Sequence, residues 1–193
     1  MFEKKRKGAP VPAYCAAASL KAMFERYDKE LAGKYFEDPL GTRVFFMDYN
    51  FPKLIQLQFN GNKAKAGMAI AALRSGNVDE SHYTYDTWRA MTLSWIPDVI
   101  KDPDSIHTNK HGRIAGDEVY VKRYAKAGAS CKIVFTTVDD YLNQRVPTTS
   151  FFTDEDRLSE FVTMPPKWER KTQPEKPSEQ LDLNLAPKKK EAH

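Results

Sequence analysis

The chain has 193 residues, 41% hydrophobic and 12% aromatic, enough for one compact domain with a sizeable core plus appendages. Its net charge of +4 suits an anionic partner without requiring one, because much of the excess lies towards the ends. No apolar run approaches the roughly 20 residues that span a bilayer, and Gly8-Ala9-Pro10-Val11-Pro12 stands where a secretory signal would place its apolar core. No membrane partner and a cytoplasmic location are therefore expected, and two cysteines, Cys15 and Cys131, are too few for a metal cluster or disulfide framework.

Over residues 13–31, Ala16, Ala17, Leu20, Met23, Phe24 and Tyr27 recur three or four apart, which predicts an amphipathic helix whose role is packing. A break at Asp38-Pro39-Leu40-Gly41 closes this N-terminal helical extension, residues 1–41. Residues 42–48 and 53–59 read as two short β-rich runs, with Asn60-Gly61-Asn62 as a turn after the second. The Ala- and Met-rich stretch 65–73 predicts a helix that ends at Arg74-Ser75-Gly76-Asn77. Beyond a polar linker at 78–83, Thr84 or Asp86 can cap a helix carrying Trp88, Met91, Leu93 and Trp95, the two tryptophans reading as core. Pro97 opens a further helical turn and Pro103 ends it.

Polar punctuation at Gly116-Asp117, 128–130 and 139–144 separates three strand-like segments, 119–124, 132–137 and 146–153, and short connections predict an antiparallel meander. Alternation sets Val119 and Val121 on one side of the first strand and Tyr120, Lys122 and Tyr124 on the other. On the last strand, either Val146, Thr148, Ser150 and Phe152 or Pro147, Thr149, Phe151 and Thr153 can share the Lys122 face. Residues 154–161 read as a short acidic helix. From Pro165 to His193 the composition turns to Pro, Lys, Glu and Gln, which predicts a disordered tail and leaves 42–164 as the folded domain.

A sheet face of Lys, Thr and Ser beside His107 suits phosphate chemistry. Metal-free RNA cleavage needs a group to take the 2′-hydroxyl proton, a group to protonate the departing 5′-oxygen, and cations for the developing charge. His107 titrates closest to neutral pH; Lys122, Arg123 and Lys132 can supply charge, and Thr148, Thr149 or Ser150 can donate hydrogen bonds. Tyr120 and Tyr124, on the Lys122 side, are candidates for stacking on bases. The competing reading makes His107 a turn cap beside Asn109 and the cations a solvated sheet face. His107 and His111 are four apart, but Thr108 stands where a metalloprotease helix has Glu and Lys110 would repel a cation, so no metal and no cofactor are expected.

The order Trp88-Arg89-Ala90, Trp95-Ile96-Pro97, Asp102-Pro103-Asp104-Ser105-Ile106-His107, Glu118-Val119-Tyr120-Val121-Lys122, Lys132-Ile133-Val134-Phe135-Thr136-Thr137 and Thr148-Thr149-Ser150-Phe151-Phe152-Thr153 resembles the phage-type branch of the barnase, EndoU, colicin and RelE-like nuclease superfamily. The resemblance covers residues 48–154. It implies an α+β fold with helices on one face of an antiparallel sheet and the site on the open face. It implies functional places for Arg89, Lys122 and Thr148 or Ser150; with His107 these give the expected catalytic set His107, Lys122, Arg89 and Ser150. Asn109, Tyr120, Arg123, Tyr124, Lys132, Thr136, Thr148 and Thr149 are then the expected nucleic-acid contacts. The implied activity is that of a metal-independent endoribonuclease, toxin-like or RNA-processing, acting on single-stranded RNA or tRNA, with a cognate inhibitor protein as a further partner. The alternative is a non-catalytic module that binds nucleic acid or protein through the same face.

Overall fold

The first helix begins where Ser19, with extended backbone, accepts the Ala22 N–H on its Oγ at 3.1 Å and so satisfies one donor of the first turn. The computed structural model of the protein describes residues 9–10, 19–109, 116–126 and 129–171, without the side chains of 9–10, 125–126, 129–132 and 135. Helix α1 (Leu20–Glu30) buries Leu20, Met23, Phe24 and Tyr27, the three- and four-spaced set; residues 11–18, where that helix was expected to start, lie outside the described ones. The Glu80 carboxylate takes the N–H groups of Leu20 and Lys21 at 2.9 Å each, tying the start of α1 to the 3₁₀ turn Glu80–His82.

After β1 (Ala9–Pro10) and α1, β2 (Tyr35–Glu37) and β3 (Arg43–Phe45) form a hairpin. Of the β-rich run expected over 53–59, only β4 (Gln58–Phe59) is strand: α2 (Asn50–Leu54) takes its start and a turn follows. The Asn50 side chain accepts the Met47 N–H at 2.7 Å, which fixes the turn ahead of α2, and Phe51, Pro52 and Leu54 are buried, so packing overrides β propensity there. The β4 hairpin with β5 (Asn62–Lys63) turns on Asn60 and Gly61, at φ 48° and 76°, the left-handed pair that an Asn-Gly turn provides. Helix α3 (Ala66–Ser75) closes on Gly76 at φ 72°. Strand β6 (Tyr83–Thr84) adds to β4, and Asp86 caps α4 (Thr87–Thr92) by accepting the Arg89 N–H at 3.1 Å. A 3₁₀ turn at Leu93–Trp95 then leads into α5 (Ile96–Lys101).

The main sheet contains β7 (Ser105–Thr108), β8 (Glu118–Lys126), β9 (Ala129–Tyr141), β10 (Gln144–Thr153) and, past α6 (Glu155–Leu158), β11 (Pro166–Glu169). Its order is β11-β7-β8-β9-β10-β3-β2, antiparallel except where β10 meets β3 and where β1 lies along β8. The fold is α+β, with the expected meander at its centre. The segment at His107, a turn on the competing reading, is a strand because β8 and β11 pair with its two sides. The start of the expected tail is likewise ordered: Trp168 packs on the core and the Arg170 guanidinium donates to the carbonyls of Asp102 and Pro103 at 2.9 and 3.0 Å. The remainder of that tail, 172–193, lies outside the described residues.

Cross-strand register settles the faces. Tyr120, Thr136 and Ser150 stand in one row and Lys122, Val134 and Phe152 in the next, all facing the helices. β10 carries one extra residue between Pro147 and Thr149, a β-bulge. On the helix side Tyr120, Tyr124, Val134, Val138 and Ile106 pack with Trp95, Ile96, Val99 and Ile100, the Trp95 ring lying 4.9 Å from both Tyr124 and Phe152. Trp88, expected in the core, is 63% exposed: the 3₁₀ turn at Leu93–Trp95 has fewer residues per turn than an α-helix, so the seven-residue spacing no longer keeps the two tryptophans on one side. The face expected to be open is itself covered in part, since Leu158, Phe161 and Val162 pack with Phe151 on Val119, Val121 and Ile133. Among the described residues no helix is long and apolar enough to cross a membrane.

Candidate functional site

The Lys, Thr and Ser face of the sheet is an interior surface. Lys122 is 3% exposed, and its Nζ lies 2.9 Å from carboxylate oxygens of both Asp98 and Asp102 on and just after α5. Tyr124 donates its hydroxyl to Asp98 at 2.7 Å, and Tyr120 donates to Asp38 at 2.7 Å with Glu118 3.2 Å away. Burial, reinforced by these carboxylates, pushes both phenols far above their ordinary pKa. Burial works to raise the Asp102 carboxyl as well, but the hydrogen bond and charge of Lys122, with Arg170, outweigh it and hold it below the usual value. Ser150 and Thr136 are fully buried and bonded to each other at 3.1 Å. Contrary to expectation, Lys122, Tyr120, Tyr124, Thr136 and Ser150 offer nothing to a phosphate or a base from outside, because helices α4 and α5 cover them.

His107 is on the other side of the sheet, in the row of Val119, and is 8% exposed. Its Nδ1–H donates to the Met164 carbonyl at 2.9 Å, which leaves Nε2 to accept from the Ser105 hydroxyl at 2.8 Å. Both ring nitrogens are engaged, and burial lowers the pKa despite the Met164 bond, so the ring is held neutral between β7 and the segment leading to β11. From β7 to β10 is three strand spacings, roughly 14 Å. The expected set His107, Lys122, Arg89 and Ser150 therefore does not converge. Arg123 is also committed, its Nε and Nη2 donating to Glu155 at 3.0 and 2.8 Å, and the Asn109 Nδ2 donates to the Gly116 carbonyl at 2.8 Å. The side chain of Lys132 and all of His111 lie outside the described residues.

Three of the expected residues do meet, in a cleft of about 820 Å³ beside β10. Arg89, Thr148 and Thr149 line it together with residues from α2, β4 and β5. The Arg89 guanidinium stacks 4.9 Å over the Phe151 ring, donates to the Thr149 hydroxyl and keeps Asp86 3.5 Å from its Nε. Burial lowers its pKa and Asp86 opposes this; a guanidinium stays charged in any case. Below it the Asn50 Nδ2 donates to the Pro147 carbonyl at 3.1 Å, locking α2 to the bulge of β10.

The rest of the lining was not anticipated. Lys53 follows Asn50 on α2, Lys63 stands on β5, and the amides of Gln56 and Gln58 lie between them. Lys53 and Lys63 are exposed, and neither has an ion pair among the described residues. Tyr49 and Tyr141 also line the cleft, 55% and 53% exposed. Among the described residues none that lines the cleft is Asp, Glu or His. The Asn60-Gly61 turn was the one readable signal, since it fixes Lys63 on a hairpin. Three cations among amide and hydroxyl donors can hold phosphate oxygens, and the described lining offers no carboxylate or imidazole for proton transfer. Among the described residues no group of three or more His, Cys, Asp and Glu side chains is arranged to hold a metal ion.

Set against known proteins, the chain matches no family model, no curated protein and no solved structure.

Proposed function

We propose that the protein is a non-catalytic nucleic-acid-binding module that takes phosphates in the cleft beside β10. The observation that carries this reading is the charge of the cleft: Lys53, Lys63 and Arg89 line one concavity with no carboxylate among its described lining residues. Lys53 and Lys63 have no ion pair among the described residues, and ammonium groups in that state gain by releasing counterions from a polyanion. The endoribonuclease implied by the sequence resemblance would need an acid and a base within reach of the scissile phosphate. The lining favours the binding alternative because its described residues include no carboxylate or imidazole, the commonest groups in those roles, and His107 is occupied elsewhere.

The test is fluorescence anisotropy of a labelled RNA across a salt series, with the same RNA checked for integrity on a gel. Affinity should fall steeply with salt, and Lys53→Ala with Lys63→Ala should reduce the log–log slope by roughly 1 per lysine while the RNA stays intact. A double variant with the parent slope would remove the cleft from the account. RNA cut by the parent protein would restore the endoribonuclease.

A further inference from the structure

The described tyrosines differ in what their rings meet, and half-buried Tyr85 packs against the core. Tyr27, Tyr120 and Tyr124 are buried, and each donates its hydroxyl to a protein acceptor. Exposed Tyr35 has the Arg43 guanidinium 4.6 Å over its ring, and Tyr83 has the Phe59 ring 5.0 Å away. Tyr49 and Tyr141 are different: each leaves more than half its surface in water, and neither ring has a hydrogen-bond, aromatic or cation partner among the described residues. Both stand at fixed places. Tyr49 is the residue before α2, which Asn50 anchors to β10, and Tyr141 ends β9 at the tight Leu142-Asn143 turn, whose φ angles are 50° and 60°. Both line the cleft that holds Lys53, Lys63 and Arg89.

We infer that the nucleic acid taken by this cleft is single-stranded, with bases stacked on Tyr49 and Tyr141 while the adjoining phosphates meet Lys53, Lys63 and Arg89; the inference rests on the cleft being a nucleic-acid site. A positive groove lined with aromatic rings is the arrangement that tracks an unpaired strand, because every base has a π-face and a tyrosine ring, rigid and wet at its hydroxyl, can cover it. A duplex has its base faces stacked on one another and presents only edges and backbone, so it could use the three cations but not the rings. Gln56 and Gln58 between the lysines add donors and acceptors for exposed base edges.

The experiment compares a labelled RNA of about ten nucleotides, within the length one such groove follows, with the same strand annealed to its complement, using the full chain at low salt. The single strand should bind at least about tenfold more tightly than the duplex. Tyr49→Leu and Tyr141→Leu should each weaken the single strand roughly 5- to 100-fold and leave the duplex unchanged, whereas Tyr49→Phe and Tyr141→Phe keep the ring and the affinity. Unchanged thermal midpoints show that the variants are folded. If both leucine variants bind the single strand as the parent does, or strand and duplex bind alike, the inference is overturned and the cleft remains a phosphate site. If the parent binds neither form, the nucleic-acid reading falls and the inference with it.

Discussion

The helix-packed face of the sheet and the cleft beside β10 contain the same kinds of side chain, lysine, threonine and tyrosine, and use them in opposite ways. On the sheet face Lys122 is enclosed by Asp98 and Asp102, and the Tyr120 and Tyr124 hydroxyls are given to carboxylates. Among the described residues the cleft's Lys53 and Lys63 meet no acid, and the rings of Tyr49 and Tyr141 meet no hydrogen-bond, aromatic or cation partner. A polar group whose bonds are completed inside the protein contributes to folding, while one left incomplete at a concave surface is available to a ligand. Residue type carries no such distinction; partners do.

Substitution at matched lysines should break or sharpen this contrast. Lys122→Ala should have the largest effect, a loss of about 2–4 kcal/mol in denaturant unfolding, since it removes a buried aliphatic stem and leaves two carboxylates facing each other. A loss below about 0.5 kcal/mol would mean that the Lys122 face is as solvated as the cleft.

His107 gives an intermediate effect with a defined sign. Its pKa is lowered in the folded protein by burial, so the unfolded chain binds the proton more readily. Stability should therefore fall as pH drops below the ordinary histidine value of about 6.5, down to the folded value, by no more than about 1.4 kcal/mol per pH unit. Asp102, lowered in the folded state, adds its own loss only at more acidic pH, below the usual carboxylate value. Unfolding curves of His107→Gln between pH 7 and pH 5, roughly the range in which an ordinary imidazole titrates, should lack the histidine component; an unchanged profile would detach His107 from it.

The smallest effect should be that of Lys53→Ala, which should shift the unfolding free energy by less than about 0.5 kcal/mol because the side chain is exposed and makes no ion pair among the described residues. A larger shift would show that the cleft lysines belong to the fold.

Much of the architecture was legible because its signals are local. Alternation along β8, β9 and β10, the Asn60-Gly61 turn, the Asp86 cap and the Gly76 stop each depend on neighbours in sequence. Strand β7 was not legible, since it is short and its strand character comes from pairing with β8 on one side and, on the other, with β11, which lies in a stretch whose composition reads as tail. The apolar run from Phe51 to Leu57 fits either periodicity, and the burial of Phe51, Pro52 and Leu54 goes with helix in its first part alone. The site was less legible than the fold. Alternation assigned Lys122 and the two tyrosines to one face but could not tell which face helices would cover. The cleft joins residues 47–66 to 141–149, a juxtaposition that only tertiary packing creates.

The bulge in β10 has a further consequence for chain length. In a regular strand consecutive residues face opposite ways, yet Thr148 and Thr149 both line the cleft, because Pro147 and Thr149 oppose successive residues Val138 and Thr137 of β9 and Thr148 is the residue in excess. Removing that one residue would not simply erase a hydroxyl. It would put the strand back in step, leaving a single threonine where two now stand, and would pull the Pro147 carbonyl, to which Asn50 is moored, against its neighbours on either side. The width of the cleft is thus set by a count of residues as much as by their kinds, and a deletion of one position should alter it more than any single exchange of side chains along its wall.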